Sequence, residues 1–139
     1  MSAQDLMTPN PVTVPPDATL AEVWDLMRDR GIRHVPVVDG GTLVGMVSDR
    51  DLAHVDLPRF LTLEGAEALR RELSVPVAKM MASGLVVVDA DAEMGEVVDL
   101  LIEHRVGALP VVRPGTGELV GIVSYVDVLR AVRDSLDME

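Results

Sequence analysis

The chain has 139 residues, 48% hydrophobic and 25% charged, enough for one sizeable core or two small ones. Its net charge of −11, without any dense cationic cluster, argues against nucleic acid as a main partner; local basic groups and helix N-termini still permit a small anionic ligand. The absence of cysteine excludes disulfides and thiolate chemistry, and no run approaches the roughly 18–20 apolar residues of a membrane span or the form of a signal peptide, so a cytoplasmic protein without membrane contact is expected.

With aromatic residues at only 2% and 24 valines, the core is predicted to rest on buried strands. Val12–Val14 reads as a short extended run after a proline-rich lead. Thr19 and Glu22 form a capping box that opens a helix with Leu20, Val23, Trp24 and Met27 on its apolar face. Gly31 ends that helix. Val35–Val38 and Leu43–Val47 are then two buried strands joined by the hairpin signal "DGGT", and a second helix follows Ser48. Residues 56–76 have no place in this pattern. Leu63, Ala66, Leu69 and Leu73 recur there at helical spacing, which predicts an amphipathic helix packed on its own chain, with packing on a second copy as the alternative.

The pattern then repeats. A shift of 74 places Met7 on Met81, Val12 on Val86, Asp17 on Asp91 and Leu26 on Leu100. Two extra residues in "RPGTGE" move the shift to 76, and "LVGMVS" (43–48) matches "LVGIVS" (119–124). A longer final helix runs to about Leu136. The predicted organisation is an α/β (α+β) fold with β-α-β-β-α order used twice: a first unit over 1–57, a connector over 58–76 and a second unit over 77–139.

Ser48 at a helix start with Asp51 three residues on is an ordinary capping device. The same geometry aims a hydroxyl and first-turn N–H groups at one place, where a phosphate oxygen is well received. An Asp in that turn accepts hydrogen bonds from the two hydroxyls of a ribose. Ser124 and Asp127 repeat the device. Basic groups flank only the first copy: Arg33, His34 and Arg50 have Gly107, Ala108 and Val126 as counterparts, so two unequal sites are expected. Catalysis finds little support. His34, His54 and His104 are scattered without metal-ligand spacing, and Gly115 and Gly117 lack the Lys and the following helix of a phosphate loop. Neither an enzyme nor a metal site is expected.

The ordered set of signatures, "VPVVD" with "LVGMVSDRD" and "LPVVR" with "LVGIVSYVD", resembles a pair of CBS domains, the Bateman module, over nearly the whole chain. With no further domain, it is similar to stand-alone bacterial CBS-pair proteins, and its connector to their acetoin-utilisation-type branch. The resemblance implies two units packed through their sheets about a pseudo-twofold axis, two clefts between them, and a homodimer of four units. It implies an energy-sensing regulatory role in which the clefts bind AMP, ADP, ATP (with Mg²⁺ where the triphosphate brings it) or S-adenosylmethionine, with no required cofactor. The family's nucleotide pattern Gly-h-h-[Ser/Thr]-x-x-Asp falls on Gly45, Ser48 and Asp51 and on Gly121, Ser124 and Asp127. It assigns ribose to Asp51 and Asp127, and phosphate to Ser48 and Ser124, with Arg33, His34 and Arg50 reaching the phosphates. The adenine walls it implies are Val12, Val14, Ile32, Val35 and Pro36, with Val86, Val88, Val106, Leu109 and Pro110 in the second unit. The implied function is a sensor of an adenosine-containing ligand acting on an unknown effector protein. The alternative is a ligand-free dimerising scaffold in which the Ser/Asp pairs only cap helices.

Overall fold

In the computed structural model, which describes residues 1–52, 67, 70–81 and 84–137, the predicted order of elements appears twice. Along the chain these are α1 (Ala3–Leu6), β1 (Thr8–Pro9), α2 (Leu20–Arg30), β2 (His34–Asp39), β3 (Thr42–Ser48), α3 (Asp49–Leu52) and a 3-10 turn (Val77–Lys79). They continue with β4 (Val88–Asp89), α4 (Met94–His104), β5 (Ala108–Val112), β6 (Leu119–Ser124) and α5 (Tyr125–Asp137). In the first repeat the leading strand is reduced to one parallel bridge, Val14 to Val37.

Local chemistry explains the boundaries. Thr19 Oγ1 accepts from the Glu22 N–H at 3.2 Å and Glu22 Oε2 accepts from the Thr19 N–H at 3.4 Å, so the predicted capping box forms. Leu20, Val23 and Met27 are buried on the inner face of α2, with Trp24 partly buried beside them. At the C-terminus, Gly31 takes the left-handed conformation (φ 64°) that a helix end demands. The matching position after α4 is Arg105, held at φ 53° without glycine's freedom. Arg105→Gly should therefore raise stability slightly, by about 0.5 kcal/mol after the glycine's entropy in the unfolded chain is subtracted. Urea denaturation checks this, and a loss of stability would show that the arginine side chain matters more than its backbone.

Contacts divide the chain into two compact units that start differently from the sequence repeats. The N-terminal unit comprises Val12–Gly40 and Val44–Leu85, and the C-terminal unit comprises Met1–Pro11, Gly41–Leu43 and Val86–Glu139. Each repeat's leading segment thus packs with the other repeat. The Ala3 N–H donates to the Ala92 carbonyl at 2.8 Å; 74 residues on, the Val77 N–H donates to the Ala18 carbonyl at 2.7 Å. Ala3 and Leu6 are buried in the C-terminal core, and Val77 in the N-terminal one. The exchange satisfies backbone groups at both helix entries and buries apolar side chains that would otherwise face water.

In the C-terminal unit the sheet order is β1-β6-β5-β4. β1 and β5 lie antiparallel to β6, and β4 runs parallel to β5. All five residues of β5 are buried, as a central strand covered on both faces requires. In the first repeat β2 pairs with β3 across the Gly40–Gly41 turn. Gly115 and Gly117 lie in the β5–β6 hairpin, where the Arg113 N–H donates to the Glu118 carbonyl at 2.8 Å. Leu63, Ala66 and Leu69 of the predicted connector helix fall outside the described residues. Residues 70–73 are helical, and Leu73 packs against the N-terminal core.

Candidate functional site

The junctions between β3 and α3 and between β6 and α5 carry the same construction. Ser48 ends β3, its N–H donates to Asp51 Oδ2 at 2.8 Å, and its Oγ accepts from the Asp51 N–H at 3.3 Å. Ser124 and Asp127 reproduce both bonds at 2.8 and 3.3 Å, and Ser124 Oγ also donates to Asp127 Oδ2 at 3.0 Å. Each pair is a reciprocal capping box.

The cap occupies one carboxylate oxygen in each copy. Oδ1 remains, with lone pairs for a hydroxyl donor. At Asp127 that oxygen lies 4.0 Å from Arg130 Nη1, and the side chain is 15% exposed, so access to it is narrow. The first-turn N–H groups are less available than the sequence implied. The Asp49 N–H donates to the Arg33 carbonyl at 2.9 Å and the Tyr125 N–H to the Gly107 carbonyl at 3.1 Å. Among the described residues this leaves the Arg50 N–H in the first copy and the Val126 N–H in the second without a backbone partner.

Those two carbonyl bonds also bring the segment before β2 or β5 against the helix start. Arg33 and His34 therefore stand beside Asp49, Arg50 and Asp51. His34 is partly buried, and desolvation lowers its pKa; Arg33 and Arg50 push the same way, while the carboxylates of Asp49 and Asp51 oppose them. At neutral pH it is an uncharged imidazole among four charged neighbours. The sequence prediction grouped Ser48, Asp51, Arg33, His34 and Arg50, and the fold assembles all five. Around Ser124 the equivalent ground is apolar: Ala108 is buried, and Tyr125 and Val126 are exposed at 49% and 37%.

The apolar candidates separate by burial. Val14, Val35, Pro36, Val88, Leu109 and Pro110 are buried, and Val35, Val88 and Leu109 lie deep in the two cores. Val12, Ile32 and Val86 are partly exposed and Val106 is 38% exposed, so these four retain surface for a ligand. A surface depression lined by Leu20, Arg71, Glu72, Val75 and Met80 shares no residue with either Ser–Asp turn. Among the described residues no group of His, Asp and Glu converges as a metal site, and no helix is long and apolar enough to cross a membrane.

Two methionines were missed by sequence reasoning. A Cβ at Gly45 would strike Met81 Sδ, and one at Gly121 would strike Met7 Sδ. The glycine of each turn motif thus has a packing reason independent of any ligand: a thioether from the exchanged leading segment lies against its Cα. The available signal was the identity of Met7 and Met81 under the 74-residue shift.

A mixed α/β unit used twice, each copy with the same Gly-h-h-Ser-x-x-Asp turn at a strand-to-helix junction, defines a tandem-repeat module. The chain belongs to the CBS domain family, whose model matches residues 3–57 and 77–134. It is 32% identical over 126 residues to the CBS domain-containing protein YhcV of Bacillus subtilis, covering 91% of this chain and 81% of that one. Among solved structures it is similar to CBSX2 in complex with AMP, at 29% identity and TM-score 0.78, with 96% of each chain covered. It is equally similar to a putative acetoin utilization protein, AcuB, of Vibrio cholerae, at 29% identity and TM-score 0.79, covering 99% of this chain and 96% of that one.

Proposed function

We propose that this chain is a regulatory sensor, not an enzyme, which binds an adenosine-containing nucleotide at its Ser–Asp turns and passes the occupancy to a separate effector protein in the cytoplasm. The observation that carries this is the assembly of Ser48, Asp51, Arg33, His34 and Arg50 at one end of β3. Asp51 Oδ1 offers ribose an acceptor, and the Ser48 hydroxyl with the Arg50 N–H offers phosphate two donors. The AMP complex of CBSX2 supports the ligand class. AMP, ADP and ATP, the last with Mg²⁺, compete for such a site in proportion to the cell's adenylate balance, and S-adenosylmethionine offers the same nucleoside with positive charge.

The copies differ in the charge they offer. Arg33 and Arg50 favour a phosphorylated ligand at the first turn, whereas Gly107, Ala108 and Val126 suit a nucleoside with little or no phosphate at the second. Calorimetric titration with AMP, ADP, ATP and S-adenosylmethionine, with and without Mg²⁺, tests the reading. Micromolar binding is expected. Absence of heat with every ligand, in a protein that still self-associates, would favour the scaffold reading, in which the five Ser–Asp bonds are caps alone.

His34 makes phosphate binding pH-dependent. Its folded pKa lies below the ordinary 6.5, so the unfolded chain takes up the proton first as pH falls. Stability should therefore drop as pH falls through about 6.5 and flatten below the folded value. A bound phosphate favours the imidazolium, so binding near pH 6 should take up a fraction of a proton. Calorimetry in two buffers of different ionisation enthalpy measures that uptake, and His34→Gln should abolish it.

A further inference from the structure

The two methionines over the turn-motif glycines carry a chemistry that packing does not use. Met7 and Met81 occupy equivalent places. Each N–H donates at 2.9 Å to the carbonyl four residues back, Ala3 or Val77, and each side chain packs on the core that its leading segment joins. A Cβ on Gly121 would lie 2.8 Å from Met7 Cγ, and one on Gly45 would lie 3.1 Å from Met81 Cγ and 3.3 Å from its Cε, with Sδ nearer in both. The slot over each glycine therefore holds an unbranched thioether and nothing wider. Both residues nevertheless keep partial exposure to solvent. Met46, Met80 and Met94 are partly exposed as well, so exposure alone does not single out the pair; the slot does.

A sulfoxide does not fit that place. It adds an oxygen to the sulfur, which widens the side chain, makes it polar and offers only an acceptor. At Gly121 the Thr8 carbonyl oxygen, 2.9 Å from where a Cβ would stand, is an acceptor too and repels the new oxygen. β1 beside it has two residues, and Pro9 supplies no N–H, so this strand leans on the packing of Met7 more than a full ladder would. At Gly45 the three nearest atoms all belong to Met81 itself, so its oxidised side chain can swing clear.

We infer that Met7 and Met81 are sites of reversible oxidation by hydroperoxides, and that the sulfoxide at Met7 loosens β1 from β6. The thioether sulfur attacks the terminal oxygen of the peroxide. The O–O bond breaks, an S–O bond forms, and water or an alcohol leaves with the proton, the peroxide gaining the electron pair that sulfur gives up. A dithiol-dependent methionine sulfoxide reductase restores the thioether, the oxygen leaving as water while the dithiol becomes a disulfide. With eight methionines and no cysteine, the chain meets peroxide through its thioethers. β6 runs from Gly121 into Ser124, so the loosened edge lies on the strand that carries the second Ser–Asp turn. The inference is independent of any nucleotide.

The full chain is treated with increasing hydrogen peroxide, mass spectrometry locates the oxygen gained at each methionine, and hydrogen exchange follows the backbone. Met1, 64% exposed, should react first, Met7 and Met81 next, and Met27, 6% exposed, last. In chains oxidised at Met7 but not at Met27, the Asn10 amide, which donates to the Val120 carbonyl, should lose protection about 10–100-fold. The Val77 amide on the Ala18 carbonyl should keep its protection, and the reductase should restore that of Asn10. Met7 and Asn10 fall in one peptide, so its oxidised and unoxidised forms are compared within one sample and without a variant. Met81→Leu should preserve the response and Met7→Leu should abolish it. If Met7 reacts only together with Met27, the slot is closed to peroxide and the site is overturned. Unchanged Asn10 protection in the Met7-oxidised peptide, or equal loss at Asn10 and Val77, would overturn the local release of β1. A loss that the reductase does not reverse would overturn the reversibility.

Discussion

Replacing Asp51 or Asp127 with asparagine should leave the fold nearly unchanged and weaken nucleotide binding about 10–100-fold, the worth of a charge-assisted hydrogen bond. The reason lies in how each carboxylate divides its work. Oδ2 accepts the serine N–H at 2.8 Å in both turns, and an amide oxygen can take over that bond. The other oxygen becomes an NH₂ group and turns a donor towards the ribose hydroxyls. Alanine removes both functions, so it should add a stability loss of about 1–2 kcal/mol from the broken cap. Urea denaturation and calorimetry on the four variants separate the two effects. If the asparagine variants bind like the native chain while the alanine variants unfold earlier, the carboxylates are caps and the sensor reading loses its ribose acceptor. Loss in only one of the two asparagine variants would identify the working turn.

That division of labour was half visible in the sequence. The repeat under a shift of 74 then 76 carries the β-α-β-β-α order, and the three capping boxes at Thr19, Ser48 and Ser124 follow from side chains three residues apart. Local signals of this kind survive folding because they depend on backbone geometry within one turn. The exchange of leading segments was not legible. Ala3 with Ala92 and Val77 with Ala18 are equivalent pairs, and pairing within each repeat would have joined Ala3 to Ala18 and Val77 to Ala92, with identical residue types. A duplicated sequence carries no local mark that chooses between these arrangements. The occupied first-turn N–H groups escaped for a related reason, since their acceptors, Arg33 and Gly107, are backbone carbonyls that any residue supplies. Burial also cut across the resemblance. Leu109 is fully buried while Val106, three residues before it, is 38% exposed, and only the strand's place in its sheet decides which meets solvent.

The glycines of the two turn motifs should respond unequally to the same substitution. Gly121 pairs with Pro9 of β1, and an added Cβ would meet Met7 Sδ, Met7 Cγ at 2.8 Å and the Thr8 carbonyl oxygen at 2.9 Å. The carbonyl belongs to the backbone and cannot rotate away, so Gly121→Ala must push the short edge strand off β6. The expected cost is about 1–3 kcal/mol, the usual range for overpacking. At Gly45 the three nearest atoms, Sδ, Cγ and Cε, all belong to Met81, a flexible side chain with rotamers to spare. Gly45→Ala should therefore cost under about 1 kcal/mol, part of it offset by the lower entropy of the unfolded chain. Urea denaturation gives the two values. Hydrogen exchange then locates the damage: in Gly121→Ala the Asn10 amide, which donates to the Val120 carbonyl at 3.2 Å, should lose protection before the β5–β6 ladder does. Adding Met81→Ala to Gly45→Ala should remove the clash entirely, whereas Met7→Ala can only partly relieve Gly121→Ala because the Thr8 oxygen stays in place. Equal losses at the two glycines would mean that the edge strand yields as easily as a methionine. The exchanged N-terminal segment would then be held by Ala3 and Leu6 in the core and not by β1.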